Sequence, residues 1–133
     1  MSGRGDPHTL PVRVYYEDTD MAGIVYYANY LRYIERARSD WVRGLGIDQN
    51  AMKAEGLVFA VRRVEADYLM PARLDDELVV ETEVMQVTAA RLVMDQVVRR
   101  GEDRLFHAIV TVAVIGETGH PGRIPAKIRQ MLQ

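Results

Sequence analysis

The chain has 133 residues, of which 48% are hydrophobic and 27% are charged, a composition typical of one globular domain with a buried core. Its formal net charge of -2 excludes the overall basic field that marks many nucleic-acid-binding proteins. The lack of cysteine excludes disulfides, thiolate nucleophiles and cysteine-ligated metal centres. No apolar run approaches the roughly 20 residues of a membrane-spanning helix, so we expect neither a nucleic-acid partner nor an integral membrane segment.

Residues 1–10 are polar, contain glycine and proline, and lack the apolar core of a secretion signal. They predict a flexible arm, followed by one domain over residues 11–133. The missing signal and the missing cysteines together favour a cytoplasmic location. Arg4-Gly5-Asp6 in the arm matches a tripeptide that adhesion receptors recognise in extracellular ligands. In a protein without a secretion signal we interpret it as a chance occurrence.

After the arm, residues 12–17 are β-branched and aromatic, which predicts a strand that enters an acidic turn ending at Gly23. From about Tyr27 the apolar residues recur at steps of three and four, which predicts a helix of roughly 16 residues. Asn29 is the candidate N-cap of this helix, and Gly46 lies where it should end. The apolar face consists of Tyr27, Tyr30, Leu31, Ile34, Ala37, Trp41 and Leu45.

The rest of the chain is typical of sheet, apart from a short helical turn over residues 48–55 and a short helix at the C-terminus. Four segments have the composition and alternation of strands; they are residues 57–69, 78–88, 90–100 and 104–115. One long helix and about five antiparallel strands predict an α+β fold in which the sheet wraps the helix. A single helix covers only part of such a sheet, so the uncovered edges and apolar area predict association of subunits.

Asp18 and Asp20 are the best candidates for chemistry, because they stand just before the predicted helix. A carboxylate there can act as a nucleophile or as a general base toward water, while unpaired N–H groups of the first helical turn can bind an oxyanion. The same pair also fits a plain turn in which aspartates cap backbone N–H groups. A calcium loop would need further oxygen ligands and a terminal glutamate at a spacing that the chain lacks, so we expect no metal.

The other polar and aromatic residues point to structure rather than to chemistry. His8, His107 and His120 are scattered along the chain and pair with no serine nucleophile motif, so we expect them to be structural or solvated. The tyrosines between Tyr15 and Tyr33 surround the acidic turn and favour core and subunit contacts. For the basic residues a solvated surface is favoured over a phosphate site.

Residues 12–47, VRVYYEDTDMAGIVYYANYLRYIERARSDWVRGLGI, resemble the signature of the hotdog-fold acyl-CoA thioesterases. The resemblance is to the 4-hydroxybenzoyl-CoA thioesterase class, and most closely to its Tol-Pal-associated (YbgC-like) branch. It continues through FAVRRVEADYLMPARLDDELVVETEV and Pro125-Ala126-Lys127. The resemblance implies a hotdog fold, dimers that pair their sheets, active sites at the dimer interface, and further association into a homotetramer.

Carried over residue by residue, the resemblance places the catalytic carboxylate on Asp20 and a supporting role on Asp18. The oxyanion-binding amide falls on the Tyr27 N–H, with Gly23 and Val25 shaping the turn. The carboxylate of this class acts either as a nucleophile, giving a mixed anhydride, or as a general base for water. The Tol-Pal-associated branch usually has histidine where this chain has Tyr27, so an imidazole role is not carried over, whereas a backbone amide survives the change.

The implied activity is hydrolysis of an acyl-CoA thioester to a free acid and coenzyme A, without a cofactor. The acyl chain is expected to pass between subunits beside Tyr27, Phe59 and Val61, and the nucleotide phosphates to lie on Arg91 or on the tail cation Lys127. One alternative is a hotdog subunit that binds acyl groups or a partner protein without turning them over. Another is a hotdog hydratase or dehydratase, but such chemistry in related folds uses a histidine, and none lies in the acidic turn or the helix.

Overall fold

The computed structural model describes residues 7–133, in which a long helix packs against one five-stranded antiparallel sheet. The remaining residues of the arm, with Arg4-Gly5-Asp6, lie outside the described residues. A 3₁₀ turn at Tyr16–Asp18 precedes the long helix. The elements are β1 (His8–Arg13), α1 (Asn29–Gly44), α2 (Gln49–Ala54), β2 (Val58–Tyr68), β3 (Glu77–Val87), β4 (Arg91–Arg100), β5 (Asp103–Ile115) and α3 (Ala126–Leu132).

The strand order in the sheet is β1-β3-β4-β5-β2, so β1 and β2 form its two edges. Every neighbouring pair is antiparallel. The predicted α+β fold, one long helix on an antiparallel sheet of about five strands, is confirmed. None of the helices formed by residues 7–133 is both long and apolar enough to cross a membrane.

The first strand differs from its prediction, because it begins at His8 and ends at Arg13 instead of covering residues 12–17. Three residues assigned to the arm therefore pair with β3. Pro11 is tolerated there because an edge strand does not need every N–H for the ladder. The aromatic residues that follow leave the sheet, since the Asp18 carboxylate accepts the Tyr15 N–H at 2.9 Å and turns the chain. Local turn chemistry thus overrides their strand propensity.

The core lies between α1 and the inward face of the sheet. Of the predicted helical face, Tyr30, Ile34 and Ala37 are buried. Trp41 and Leu45 are partly buried, and Tyr27 and Leu31 are exposed. Tyr33 and Val42 are buried in addition. Tyr27 does not belong to the buried face of α1, because it precedes the helix. The buried face is therefore rotated about the helix axis relative to the predicted one. The strands meet this face with alternate residues; the fully buried ones include Leu78, Val80, Leu92, Met94, Val98, Phe106 and Val110.

The length of α1 agrees with the prediction, but its N-cap is not the predicted Asn29. Ala28 occupies the N-cap position, while the Asn29 side chain donates from Nδ2 to the Asp18 carbonyl at 2.9 Å. The amide thus ties the helix to the acidic turn instead of capping it. At the other end Gly46 has a φ of +83°, the left-handed conformation that ends many helices.

Candidate active site

The acidic turn is a tight hairpin just before α1. The Asp20 N–H donates to the Ile24 carbonyl at 2.9 Å, and the Gly23 N–H donates to the Asp20 carbonyl at 3.0 Å. Gly23 has a φ of +78°. Asp20 is exposed, and its Oδ1 accepts the Ala22 N–H at 2.8 Å. This one bond orients the carboxylate, and within residues 7–133 its other oxygen has no hydrogen-bond donor, so it is available to a ligand or to water.

We expect Gly23→Ala to lower the free energy of unfolding by about 1–2 kcal/mol, because the left-handed conformation is strained for a residue with a Cβ. A Cβ at this position meets nothing within 4 Å, so the cost is backbone strain alone. Gly44→Ala is the matched control, since it too meets nothing within 4 Å but is helical. The control should be neutral or should stabilise by up to about 1 kcal/mol. Urea unfolding measures the free energy of unfolding of both variants. An equal change in the two would contradict backbone strain as the cause at Gly23.

Asp18 holds the turn against the helix. Its carbonyl accepts the Tyr26 N–H at 2.9 Å in addition to the Asn29 amide, and its carboxylate holds Tyr15. Beneath it lies Tyr33, which is fully buried; burial, and then the charge of Asp18, raise the pKa of the Tyr33 phenol well above its usual range. The phenol therefore keeps its proton. The contacts of Asp18 thus tie the turn together and connect it to α1.

Tyr27 presents a free backbone N–H at the start of α1. Within the described part of the chain neither Tyr27 nor Ala28 donates its N–H to a protein acceptor. The Tyr26 carbonyl accepts the Asn29 N–H at 2.8 Å and thus faces the helix. In a trans peptide the N–H is opposed to the carbonyl, so the Tyr27 N–H is directed away from the helix. A free, oriented N–H at a helix N-terminus can stabilise negative charge on an oxygen.

An aromatic cluster positions this segment. The Tyr68 hydroxyl donates to the Tyr27 carbonyl at 2.9 Å, and burial, then the neighbouring Tyr27 and Tyr30, raise the pKa of Tyr68, so it stays a donor. Tyr30 stacks on Phe106 with ring centroids 5.0 Å apart, and its hydroxyl accepts the buried Ala72 N–H at 3.0 Å. Sequence reasoning missed Tyr68; its position at the end of a strand, just before the proline of Leu-Met-Pro, was the available signal.

Two cavities lie at opposite ends of the sheet. The first, of about 360 Å³, is lined by Tyr27, Tyr68 and the neighbouring Leu69 to Pro71. The second, of about 340 Å³, is lined by Phe59 and Val61 together with residues of α1, β4 and β5. Because a strand rises about 3.3 Å per residue, Val61 and Tyr68 lie roughly 20 Å apart along β2.

The predicted site residues therefore fall into two groups. The first group lies at the end of the sheet where the Val25 N–H donates to the Ala72 carbonyl at 2.8 Å; it consists of Asp18, Asp20, Gly23, Val25 and Tyr27. The second group lies at the far end and consists of Phe59, Val61, Arg91 and Lys127. There Arg91 begins β4, and the tail that carries Lys127 is tied to the preceding loop, since the Ile124 N–H donates to the Ala89 carbonyl at 2.8 Å. Both cations are exposed. One chain does not bring the two groups together.

The three histidines lie outside the acidic turn. His8 contacts Asp40 at 2.9 Å, His107 contacts Asp95 at 3.0 Å, and His120 contacts Thr118 at 2.8 Å. Each has a partner within the fold, as expected of structural or surface residues. The segment around Asp20 consequently depends on a carboxylate and on backbone N–H groups.

A single long helix packed on a five-stranded antiparallel sheet is the architecture of the hotdog class of protein. Residues 22–107 match the family profile of the thioesterase superfamily (4HBT). The chain belongs to this superfamily, which confirms both the family resemblance and the predicted class of enzyme, a thioester hydrolase.

Named relatives and a solved structure agree with this membership. An acyl-CoA thioesterase YbgC of Haemophilus influenzae is 44% identical over 80% of this chain and 79% of its own length. An acyl-CoA thioester hydrolase YbgC of Escherichia coli is 41% identical over 78% of each chain. The crystal structure of a probable thioesterase from Bartonella henselae superposes with a TM-score of 0.84 at 38% identity, covering 90% of this chain and 99% of that one.

Proposed function

We propose that the protein hydrolyses acyl-CoA thioesters to a free acid and coenzyme A, with Asp20 as the catalytic carboxylate. The observation that carries the proposal is the pairing of this exposed carboxylate with the free Tyr27 N–H in one segment, within a chain of the thioesterase superfamily. The relatives named as acyl-CoA thioesterases supply the substrate class.

Asp20 has two ways to start the reaction. It can attack the thioester carbon and form a mixed anhydride that water then hydrolyses, or it can take a proton from the water that attacks. On either route the carbonyl oxygen gains negative charge, which the Tyr27 N–H stabilises by donating to it. The thiolate of coenzyme A leaves and takes up a proton, so one water is consumed for each acid and thiol released.

The complete site is proposed to need two copies of the chain, paired through β2. This strand has 11 residues and is exposed at every position from residue 61 to 68. Among residues 7–133 it pairs with β5 alone. An edge of this length without proline or a covering element is prone to pair with another strand. The opposite edge is unsuited to pairing, because β1 has only 6 residues and contains Pro11.

Antiparallel pairing of two β2 strands about a twofold axis brings together the two groups of predicted site residues, which lie at opposite ends of the sheet in one chain. The start of one strand then lies beside the end of the other. Phe59 and Val61 of one copy approach the Asp20 turn of the second copy, as an acyl chain bound between subunits requires. Arg91 and Lys127 arrive on the same side, where exposed cations suit the nucleotide phosphates. The homodimer is thus part of the proposed function.

The test of the activity is release of free thiol from a panel of aliphatic and aromatic acyl-CoAs by the purified full chain. We expect turnover of at least part of the panel without added metal or cofactor. Binding of acyl-CoA by equilibrium dialysis without any thiol release would instead support a non-catalytic hotdog subunit. Release of a hydrated or dehydrated acyl-CoA, detected by mass spectrometry, would support the hydratase alternative.

A further inference from the structure

The cavity beside Phe59 and Val61 has a charged wall that the thioesterase reaction does not use. Phe59, Val61, Leu92, Met94 and Val112 form an apolar wall of this cavity. α1 contributes Glu35, Arg38 and Ser39 to the same cavity. Its volume of about 340 Å³ is in the range of small-molecule sites, which are mostly apolar with a few placed polar groups.

Arg38 is anchored by a buried amide. Its Nη1 donates to Oε1 of Gln96 at 3.0 Å, and Gln96 is fully buried. The two hydrogens on Nε2 of Gln96 are both used, because Nε2 donates to the Ile34 carbonyl and to Oγ1 of Thr82, each at 2.9 Å. Gln96 can therefore only present its oxygen to Arg38, which fixes one edge of the guanidinium.

The remaining guanidinium nitrogens of Arg38 have no carboxylate partner. Among residues 7–133 Arg38 forms no ion pair, although it is half-buried. Burial lowers the pKa of Arg38, and the charge of Glu35 opposes this shift. An arginine stays protonated under such conditions, so the cavity contains a positive charge that is held in place. Glu35 lines the same cavity, but among residues 7–133 it forms no ion pair with Arg38. A partly buried charge of this kind is stabilised by an anion that binds against it.

We propose that Arg38 is a specificity-determining residue that binds a carboxylate at the far end of the acyl group. The preferred substrates are then CoA esters of dicarboxylic acids, in which one carboxyl is the thioester and the other is free. The proposal rests on the thioesterase function and on the paired β2 strands, which bring this cavity of one copy toward the Asp20 turn of the other. The acyl group crosses the interface, with its apolar methylenes against Phe59 and its free carboxylate on Arg38.

The experiment compares substrates matched in chain length: succinyl-CoA with butyryl-CoA, glutaryl-CoA with valeryl-CoA, and adipyl-CoA with hexanoyl-CoA. We expect kcat/KM to favour the dicarboxylic member of at least one pair by roughly tenfold to a hundredfold, as for a charge-assisted hydrogen bond. In Arg38→Met that ratio should fall to about one or below, and in Arg38→Lys it should stay between the two. Arg43→Met is the matched control on the same helix, because Arg43 is exposed, and it should keep the wild-type ratio.

Each outcome bears on a different statement. If the wild type hydrolyses acyl-CoAs but favours the dicarboxylic member of no pair, the role of Arg38 is overturned while the proposed function stands. The role of Arg38 is also overturned if a folded Arg38→Met variant keeps the wild-type ratio of kcat/KM values. A lowered melting temperature in that variant would then show that Arg38 serves only to hold Gln96. If the wild type releases thiol from none of these nor from the wider panel, the proposed function itself fails. The wild-type comparison needs no variant, so a failure of Arg38→Met to fold leaves the test decisive.

Discussion

Asp20→Asn is expected to lower kcat for acyl-CoA hydrolysis by about a thousandfold or more while the protein stays folded. The carboxylate is the nucleophile or the general base in the proposed reaction, and the neutral amide can be neither. The turn should survive, because an asparagine Oδ1 can still accept the Ala22 N–H that Asp20 accepts at 2.8 Å. The loss should therefore appear in kcat and not in stability.

Thiol release with the best acyl-CoA of the panel measures the change, and circular dichroism with a thermal melt checks the fold. Glu17→Gln is the matched control, because Glu17 is an exposed acid in the same segment. This substitution also replaces a carboxylate by an amide. It should retain activity within about a factor of two. Hydrolysis by Asp20→Asn at the wild-type rate on every substrate would remove Asp20 from the mechanism.

Val64→Asp in the middle of β2 is expected to dissociate the dimer and to abolish most of the activity. Val64 pairs with the buried Val110 of β5 on the inward side of the sheet, yet it is itself 39% exposed in the single chain. A second copy on this edge would bury it. Burying an unpaired carboxylate instead costs several kcal/mol, which raises the dissociation constant by roughly a hundredfold or more.

Sedimentation velocity over a range of concentrations measures the association, and thiol release is followed on the same samples. Thr9→Asp on the opposite edge strand is the control, since Thr9 is exposed in β1 and should change neither property. A monomeric Val64→Asp variant with full activity would show that one chain suffices for the site. A monomeric wild type would refute the pairing of β2 strands altogether.

The elements that could be predicted from sequence are those whose pattern is local. The length of α1 follows from its 3.6-residue period, and the alternation predicted for β3 agrees with buried Leu78 and Val80 on either side of exposed Val79. The hairpin between β4 and β5 follows from its glycine. These signals are reliable because residues one structural period apart, two in a strand and three or four in a helix, lie on the same face of the element. The family resemblance then singled out Asp20 as the candidate carboxylate and the Tyr27 N–H as the candidate amide.

What the sequence alone determined was the fold class, the single long helix, the family and the segment that carries Asp20 and Tyr27. Only the tertiary structure decided the start of β1, the helix cap at Ala28 and the aromatic support of Tyr27 by Tyr68, because each depends on a partner distant in the chain. It also decided that the predicted site residues occupy two ends of one sheet, and that Arg38 lines a cavity and bonds to Gln96 without an ion pair to any residue of 7–133. Spacing along a chain records which residues are neighbours in sequence, whereas strand register and burial determine which side chains meet.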